Sequence, residues 1–177
     1  MQTANAHARR FSNWCKLSGR PTMVLAHLVE VQLVPAYLTA GFRRTSIYMN
    51  DPTDMVSGRE IHLEREKHGE IEFVTFNFDK YRRPAFQFHI GCRKAAPNQA
   101  WVRSAKVVAR STQLFHFWGK PWWLPSRWWS ERMSLRVIDR LVAKTPEVLA
   151  FLEEGRRSSS LSESSISSNQ CSAGHGS

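Results

Sequence analysis

Two adjacent runs of β-forming residues, joined by a short polar turn, constrain the fold of this chain more than any other feature. Residues 71–78 (IEFVTFNF) are rich in β-branched and aromatic side chains and are apolar on both faces, as in a central strand. Residues 85–92 alternate strictly between apolar and polar positions. The apolar positions, expected to be buried, are Phe86, Phe88, Ile90 and Cys92, and the polar ones are Gln87 and His89. With the intervening turn, residues 81–84 (YRRP), this pattern predicts a β-hairpin.

The segment from Pro21 to Phe42 has the spacing of an amphipathic helix, because its apolar residues recur at steps of three and four. The residues expected to face the core are Leu25, Leu28, Val31, Val34, Leu38 and Phe42. Gly41 is well suited to the C-terminal end of this helix. Pro35 lacks the N–H that a helix interior needs, so we expect the helix to bend there or a second short helix to begin.

Further elements follow from the same patterns and decide the fold class. The expected additional strands cover 47–49, 59–67 and 106–117. The expected C-terminal helices are 131–144 and a second helix that begins at Pro146 and is ended by Gly155. Ser130 and Thr145 are typical N-cap residues, and Gly155 is a typical terminator. Because long α/β alternation is absent, the sequence predicts an α+β fold. We expect an antiparallel sheet of four to five strands flanked by an N-terminal helix and C-terminal helices.

Composition changes divide the 177-residue chain into three expected parts. Residues 1–20 carry four bases and no acid, which predicts a flexible basic arm. Residues 21–155 are expected to form a single α+β domain. Residues 156–177 are rich in serine and are expected to be disordered, because they cannot bury enough apolar surface to become ordered.

Cysteine use and the N-terminal sequence favour a cytoplasmic protein. Three cysteines lie far apart without a C-x-x-C pair, which does not indicate a disulfide framework. The basic N-terminus faintly resembles an organelle transit peptide, but it lacks the apolar core of a secretory signal. No run of about 18 apolar residues occurs, so we expect no membrane-spanning helix.

The positive charge of the chain is concentrated in one stretch. The net charge is +10 at pH 7, and residues 80–130 contain ten bases and no acid. Cations in such a stretch cannot be neutralised locally. They must pair with acids from other segments, remain solvated, or contact an anionic partner.

Tryptophans lie among these bases, with five of them inside residues 118–129. Aromatic side chains among cations form surfaces for cation–π contacts, base stacking or a membrane interface. The candidate binding face comprises Lys80, Arg82, Arg83, Arg93, Lys94, Arg103, Lys106, Lys120, Trp122, Trp123, Arg127 and Trp128. Two structural alternatives are open. In one, the Trp- and Pro-rich loop folds over the open face of the sheet as a lid on the core. In the other, the bases form a solvated surface paired with the acids of residues 59–79.

Motifs for catalysis and metal binding are absent or incomplete. His62, Glu64, Glu66 and His68 alternate along one predicted strand and suggest a metal site, but no second carboxylate–histidine pair completes a coordination sphere. The chain lacks a nucleophile elbow, a Walker loop and a dinucleotide-binding glycine motif. We therefore expect no catalytic residue, no metal and no small-molecule cofactor.

These observations favour a non-catalytic binding module whose basic, tryptophan-bearing face engages an anionic protein partner. Nucleic-acid binding through the same face is the alternative, although the fingerprints of the common nucleic-acid-binding folds are missing. A small hydrolase-like enzyme is a lower alternative, which convergence of His89, His116 or Glu64 in one cleft would support.

Three segments resemble small bacterial α+β domains of unknown function. They are LVPAYLTAGFRR, EIEFVTFNFDKYRRPAFQFHIGC and PEVLAFLEEG, and the resemblance extends over about residues 24–155, including the Trp-rich region. It implies an α+β architecture and a bacterial source, and it implies no site residues. Some such domains are suspected to be immunity or accessory proteins. A net charge of +10 does not suit an immunity protein that binds a cationic nuclease.

Overall fold

The computed structural model describes residues 9, 11–45, 59–95, 101–107, 117–118, 125, 131–156, 158 and 161–163. Within these residues, helices pack on an antiparallel sheet, and the predicted α+β class is confirmed. The strand expected at 47–49, the Ser130 cap and His116 lie outside the described residues.

Helices precede and follow the strands, in the expected order. The helices are α1 (11–16), α2 (Arg20–Thr39), α3 (Glu131–Ala143) and α4 (Thr145–Glu154). The strands are β1 (Arg43–Thr45), β2 (Glu60–Lys67), β3 (Glu70–Phe78), β4 (Ala85–Lys94), β5 (Trp101–Val107), β6 (Phe117–Trp118) and β7 (Leu161–Glu163). The sheet order is β1-β2-β3-β4-β5-β7, and β6 pairs with β4.

The β3–β4 hairpin has the predicted register. Phe76 lies opposite Phe88, and Val74 lies opposite Ile90. The inward side chains of β4 from Phe86 to Cys92 are fully buried, whereas the side chains of Gln87 and His89 are only half-buried. This hairpin is therefore the centre of the core against which the helices pack.

Helix α2 contains a wide turn that the apolar spacing did not predict. Val29–Leu33 is π-helical, and the N–H of Val34 donates to the carbonyl oxygen of Val29, five residues earlier. Pro35 follows this turn directly and has no N–H to continue the regular ladder. The helix therefore continues through Pro35 by widening, instead of dividing into two separate helices.

The wide turn changes which side chains of α2 face the core. An extra residue per turn rotates all later positions around the helix axis. Val31 and Leu38, both expected to be buried, are 49% and 46% exposed, whereas Leu33 and Tyr37 are fully buried. The expected core set is thus wrong at Val31 and Leu38, because it assumed an unbroken α-helical period.

Gly41 and Gly155 end their helices as the sequence predicts, whereas Thr145 is not the N-cap that the sequence predicts. Gly41 and Gly155 both have positive φ, and the N–H of Gly155 donates to the carbonyl oxygen of Phe151. Thr145 is the first residue of α4, and its hydroxyl faces the Leu141 carbonyl oxygen at 3.5 Å. The Thr145 hydroxyl therefore donates to a carbonyl oxygen of α3 instead of capping α4. Lys144 occupies the N-cap position, and its side chain makes no capping hydrogen bond.

Ordered structure extends past both expected boundaries of the domain. Residues 11–16 form α1, where Phe11 is buried and stacks on Trp14 and against Phe78. At the other end, Leu161–Glu163 pairs with β5, and the Ser158 hydroxyl donates to Glu147. Aromatic packing and strand pairing therefore attach parts of the expected arm and tail to the domain.

Among the described residues, α2 is the one helix whose length and composition would suffice to cross a membrane. Core helices of soluble proteins satisfy the same criterion. Leu25, Val29 and Leu33 of α2 are fully buried against the rest of the domain. Packing in the core therefore accounts for part of the apolar surface of α2, whereas Met23, Val31 and Leu38 of the same helix are exposed.

Candidate binding surface

The described members of the candidate binding face lie in three places: the turn before β4, the C-terminal end of β4, and strand β5. Lys80, Arg82 and Arg83 lie in the β3–β4 turn, and Arg93 and Lys94 end β4. The residues on β5 are Arg103 and Lys106. Five members lie outside the described residues: Lys120, Trp122, Trp123, Arg127 and Trp128.

A buried carboxylate fixes the β3–β4 turn. Asp79 has no exposed surface, and it accepts a hydrogen bond from the Tyr81 N–H at 2.8 Å and an ion pair from the Arg83 guanidinium. Arg82 adopts a left-handed conformation with a φ of 58°, and its N–H donates to the Asp79 carbonyl oxygen. Aspartate often closes tight turns, because its short side chain accepts hydrogen bonds from the backbone N–H groups that follow it.

Tyr81 projects from this turn between two cations. Its residue surface is 69% exposed, the largest value among the exposed large hydrophobic residues described. The ammonium group of Lys80 lies 4.9 Å from the ring centroid, and the guanidinium carbon of Arg83 lies 5.4 Å from it. Both distances are within the range of cation–π attraction, so the aromatic ring and the two charges form one unit.

The segment between α1 and α2, together with the first turn of α2, packs against this turn. The hydroxyl of Thr22 donates to the Arg82 carbonyl oxygen at 2.7 Å, and the Arg82 guanidinium reaches the Leu17 carbonyl oxygen at 3.3 Å. Leu17 is 66% exposed, and its chain neighbour Lys16 is exposed. Arg20 is also exposed and pairs with Glu131 at 3.3 Å. We name the resulting surface the turn patch: Lys16, Leu17, Arg20, Lys80, Tyr81, Arg82 and Arg83.

Arg93 belongs to a different environment, on the outer face of the sheet. Its guanidinium donates to Glu64 at 2.9 Å, and the same carboxylate oxygen lies 2.9 Å from Nε2 of His62. The hydrogen bond from His62, followed by those from Arg93, lowers the pKa of Glu64 to about 2. Nδ1 of His62 lies 2.7 Å from the Thr75 hydroxyl, so the imidazole is held on both sides. Arg93 therefore neutralises an acid of β2.

Arg103 also acts inside the domain. Its Nε donates to the Leu152 carbonyl oxygen at 3.1 Å, near the C-terminal end of α4, and its Nη2 lies 3.3 Å from Glu70. The Cys92 thiol donates to the same Glu70 carboxylate at 3.1 Å, and burial raises the pKa of this thiol to about 12. Arg103 thus joins β5 to a helix end and to an acid of β3.

The described bases do not form one continuous face. Lys80–Arg83 and Arg93 are separated by the length of β4, which is about 30 Å for a strand of ten residues. Lys94 is exposed at the far end, and Lys106 is half-buried opposite His89 and Ser162. For Arg93 and Arg103, the alternative in which bases pair with acids of residues 59–79 agrees with the structure.

Sequence reasoning missed Arg65 and the buried ionic cluster around it. The Arg65 guanidinium pairs with buried Glu72, donates to the Ala40 carbonyl oxygen at 2.8 Å and pairs with Glu153 at 2.8 Å. It also lies 4.7 Å from the ring centroid of Phe42. One side chain therefore ties β2 and β3 to the ends of α2 and α4. Only the inward position of Arg65 in the predicted strand could have signalled this role.

The histidine-containing segment of β2 does not form a ligand cluster. Among the described residues, no three His, Cys, Asp or Glu side chains are placed to hold a metal ion. His62 and Glu64 contact each other, Glu66 is exposed, and His68 lies in the turn after β2 with a φ of 53°. The absence of a metal and of catalytic residues stays a prediction. His89 contacts Gln87 at 3.0 Å, two strands away from β2.

Leu17, Tyr81 and the bases of α1 and α2 are members of the patch that the candidate list left out. Composition places Lys16 and Arg20 in the basic N-terminal segment, and Tyr81 lies in the predicted turn. A local signal existed for Tyr81, because it lies within the sequence Lys80-Tyr81-Arg82-Arg83. No local signal existed for Leu17, which meets Arg82 across 65 positions of sequence.

No family model, no curated protein and no solved structure matches the chain. The resemblance to small bacterial domains of unknown function therefore stays a prediction.

Proposed function

We propose that this protein is a non-catalytic binding module that engages an anionic protein partner through the turn patch. The observation that carries the proposal is the exposed Tyr81 ring between the Lys80 and Arg83 cations, on a turn fixed by buried Asp79. Lys120, Trp122, Trp123, Arg127 and Trp128 lie outside the described residues, and they remain candidates for the same partner on sequence grounds. We place the module in the cytoplasm as part of this proposal.

Charge supports an anionic partner. The turn patch contains five cations, and within the described part of the chain Asp79, which is buried, pairs with Arg83 and Glu131 pairs with Arg20. The patch therefore retains an excess of positive charge at the surface. A patch of one sign attracts a partner of the opposite sign and accelerates its association.

The arrangement favours acidic side chains over nucleic acid as the bound groups. Lys80 and Arg83 already engage the Tyr81 ring, so it is not a free platform on which a base would stack. Arg93 and Arg103, which would extend a track for a phosphate backbone, lie about 30 Å away and are paired with acids. A compact cluster of cations around one aromatic side chain suits a short acidic segment of a protein.

The test is a binding titration of the full chain with a fluorescent poly-glutamate peptide and, separately, with duplex DNA. We expect the peptide to bind at low salt, and we expect Lys80→Glu with Arg82→Glu to weaken binding at least tenfold. Arg140→Glu, an exposed charge change on α3, is the matched control and should change the affinity by less than twofold. Tighter binding to DNA would support the nucleic-acid alternative instead, if the slope of log affinity against log salt concentration showed that several phosphates are neutralised.

Two further results would overturn the proposal. One is the absence of any peptide binding below physiological ionic strength, where exposed charges are least screened. The other is an equal loss of affinity in Lys94→Glu, because Lys94 lies at the opposite end of β4 from the turn patch. Circular dichroism and thermal unfolding of each variant separate loss of binding from loss of fold.

A further inference from the structure

A groove lies between α1 and α2, and at one end it shares Lys16 and Arg20 with the turn patch. Its volume is about 630 Å³, within the range of ligand sites of about 300–1,000 Å³. Both helices line it, with Phe11, Cys15 and Lys16 on α1 and Arg20, Met23 and Val24 on α2. Apolar side chains provide most of this lining.

The floor and walls of the groove suit a hydrocarbon chain. Phe11 and Ala26 are buried, and half-buried Val24 lies beside them. Met23 is 42% exposed at the rim, where a flexible thioether side chain adapts readily to apolar ligands. Burial and the Glu30 carboxylate raise the pKa of the Cys15 thiol to about 11, so this wall residue is uncharged at neutral pH.

The two ends of the groove differ in charge. Lys16 and Arg20 lie at the end next to the α1–α2 junction, where Arg82 also contacts the Leu17 carbonyl oxygen. Glu131 pairs with Arg20, which leaves an excess of positive charge at this end. At the other end, Glu30 pairs with Arg44, and His27 is exposed. An apolar channel with one cationic end is complementary to an anionic amphiphile.

We infer that the groove between α1 and α2 binds a single-chain fatty carboxylate, with the acyl chain along Phe11, Met23 and Val24 and the carboxylate beside Lys16. The inference does not depend on the proposed protein partner, although Lys16 belongs to both the groove and the turn patch. The chain would be held by apolar burial, and the ammonium group of Lys16 would set its direction.

The test is isothermal titration calorimetry of the full chain with octanoate, decanoate and dodecanoate below their micellar concentrations. Burial of each added methylene should strengthen binding by up to about fourfold. Lys16→Gln should weaken decanoate binding severalfold and should leave the affinity for the neutral alcohol decanol unchanged. Affinity that does not depend on chain length, or equal effects of Lys16→Gln on both ligands, would overturn the assignment.

A matched pair of variants on α2 tests the location. Met23→Glu places a carboxylate in the groove and should reduce decanoate affinity at least tenfold. Val31→Glu places the same charge on the same helix at an exposed position that does not line the groove, and it should change the affinity by less than twofold. Equal losses in the two variants would contradict binding in this groove.

A measurement on the unaltered protein makes the test independent of variant stability. Methionine carrying a ¹³C-labelled methyl group gives one NMR signal for each of the five methionines. Decanoate should shift the Met23 signal, which Met23→Leu identifies, and should leave the signal of Met133 on α3 unchanged. An unshifted Met23 signal at saturating decanoate would overturn the proposal.

Discussion

The guanidinium of Arg103 on β5 donates to the carbonyl oxygen of Leu152, with Nε 3.1 Å from that oxygen, near the C-terminal end of α4. The last carbonyl groups of a helix have no partner within the helix, and the helix dipole places partial negative charge there. The Arg103 guanidinium donates to one of these carbonyl groups and places positive charge beside the negative end of the helix dipole. Part of the basic stretch therefore stabilises the domain, whereas Lys80 of the turn patch is exposed to solvent.

This division predicts opposite phenotypes for two groups of basic residues. Arg103→Met should lower the free energy of unfolding by about 1.5–3 kcal/mol, because it removes charge-assisted hydrogen bonds to Leu152 and Glu70. The same variant should leave the affinity for an acidic peptide unchanged. Lys80→Glu should weaken peptide binding with little change in stability, because Lys80 is exposed.

Urea denaturation and peptide titration of both variants check this prediction. If Arg103→Met weakened peptide binding as strongly as Lys80→Glu while the domain remained folded, the division between structural and binding cations would be wrong.

The hairpin register predicts a large asymmetry between neighbouring positions of β4. Phe88 is fully buried and lies 4.7 Å from the Phe76 ring centroid, so Phe88→Ala should cost about 3–5 kcal/mol. Gln87→Ala, one residue earlier on the opposite face, should cost much less. Chemical denaturation measures both values, and equal costs would contradict the register.

Local pattern was sufficient to predict the hairpin because the strand period of two directly places Phe86 and Phe88 on one face. The helical period failed at Val31 and Leu38 because the π turn depends on a bond from Val34 to Val29. Whether a helix widens before a proline is decided by its packing partners as well as by the proline itself. A single apolar periodicity therefore could not predict which side chains in the second half of α2 face the core.

The sequence could predict only those members of the binding surface that are neighbours along the chain. Lys80, Arg82 and Arg83 share one turn, so composition was enough to propose them. Leu17 joins them through a contact with Arg82 that spans 65 positions. The charge distribution likewise identified Arg93 as a cation but could not identify Glu64 as its partner, because that pair depends on the order of strands in the sheet.

Close packing around Gly91 predicts that even a methyl group there is costly. A Cβ at Gly91 would lie 2.6 Å from the Phe73 ring and 2.7 Å from the backbone oxygen of Arg103. The oxygen belongs to a paired strand and cannot move without disturbing the β4–β5 ladder. We expect Gly91→Ala to lower the free energy of unfolding by about 1–3 kcal/mol.

Gly19→Ala is the matched control for this substitution. Gly19 has a φ of −66°, and the nearest atom to a Cβ there is 3.8 Å away. Gly19 is the N-cap of α2, where alanine is less favourable than glycine, so we expect a loss of at most about 1 kcal/mol in the same urea titration. A Gly91→Ala variant as stable as the unaltered protein would show that Phe73 and the β5 backbone are not packed as described.

The His62–Glu64–Arg93 cluster predicts a loss of stability in acid. The pKa of Glu64 is lowered from 4.5 to about 2 in the folded protein, first by the hydrogen bond from His62. The unfolded state therefore binds a proton at this group more readily than the folded state does. The stabilisation is complete above the unfolded pKa and is lost as the pH falls from about 4.5 towards 2. Its full size is about 2–3 kcal/mol.

Urea denaturation at pH 6, 4.5 and 3 on the unaltered protein and on Glu64→Gln isolates this contribution. The glutamine variant has no carboxylate to protonate, so it should be less stable at pH 6 and should lose less stability than the unaltered protein between pH 4.5 and 3. Arg93→Met should also reduce this acid dependence, because its guanidinium contributes to the low pKa of Glu64. Parallel pH profiles for the unaltered protein and Glu64→Gln would mean that other carboxylates, and not Glu64, cause the acid sensitivity.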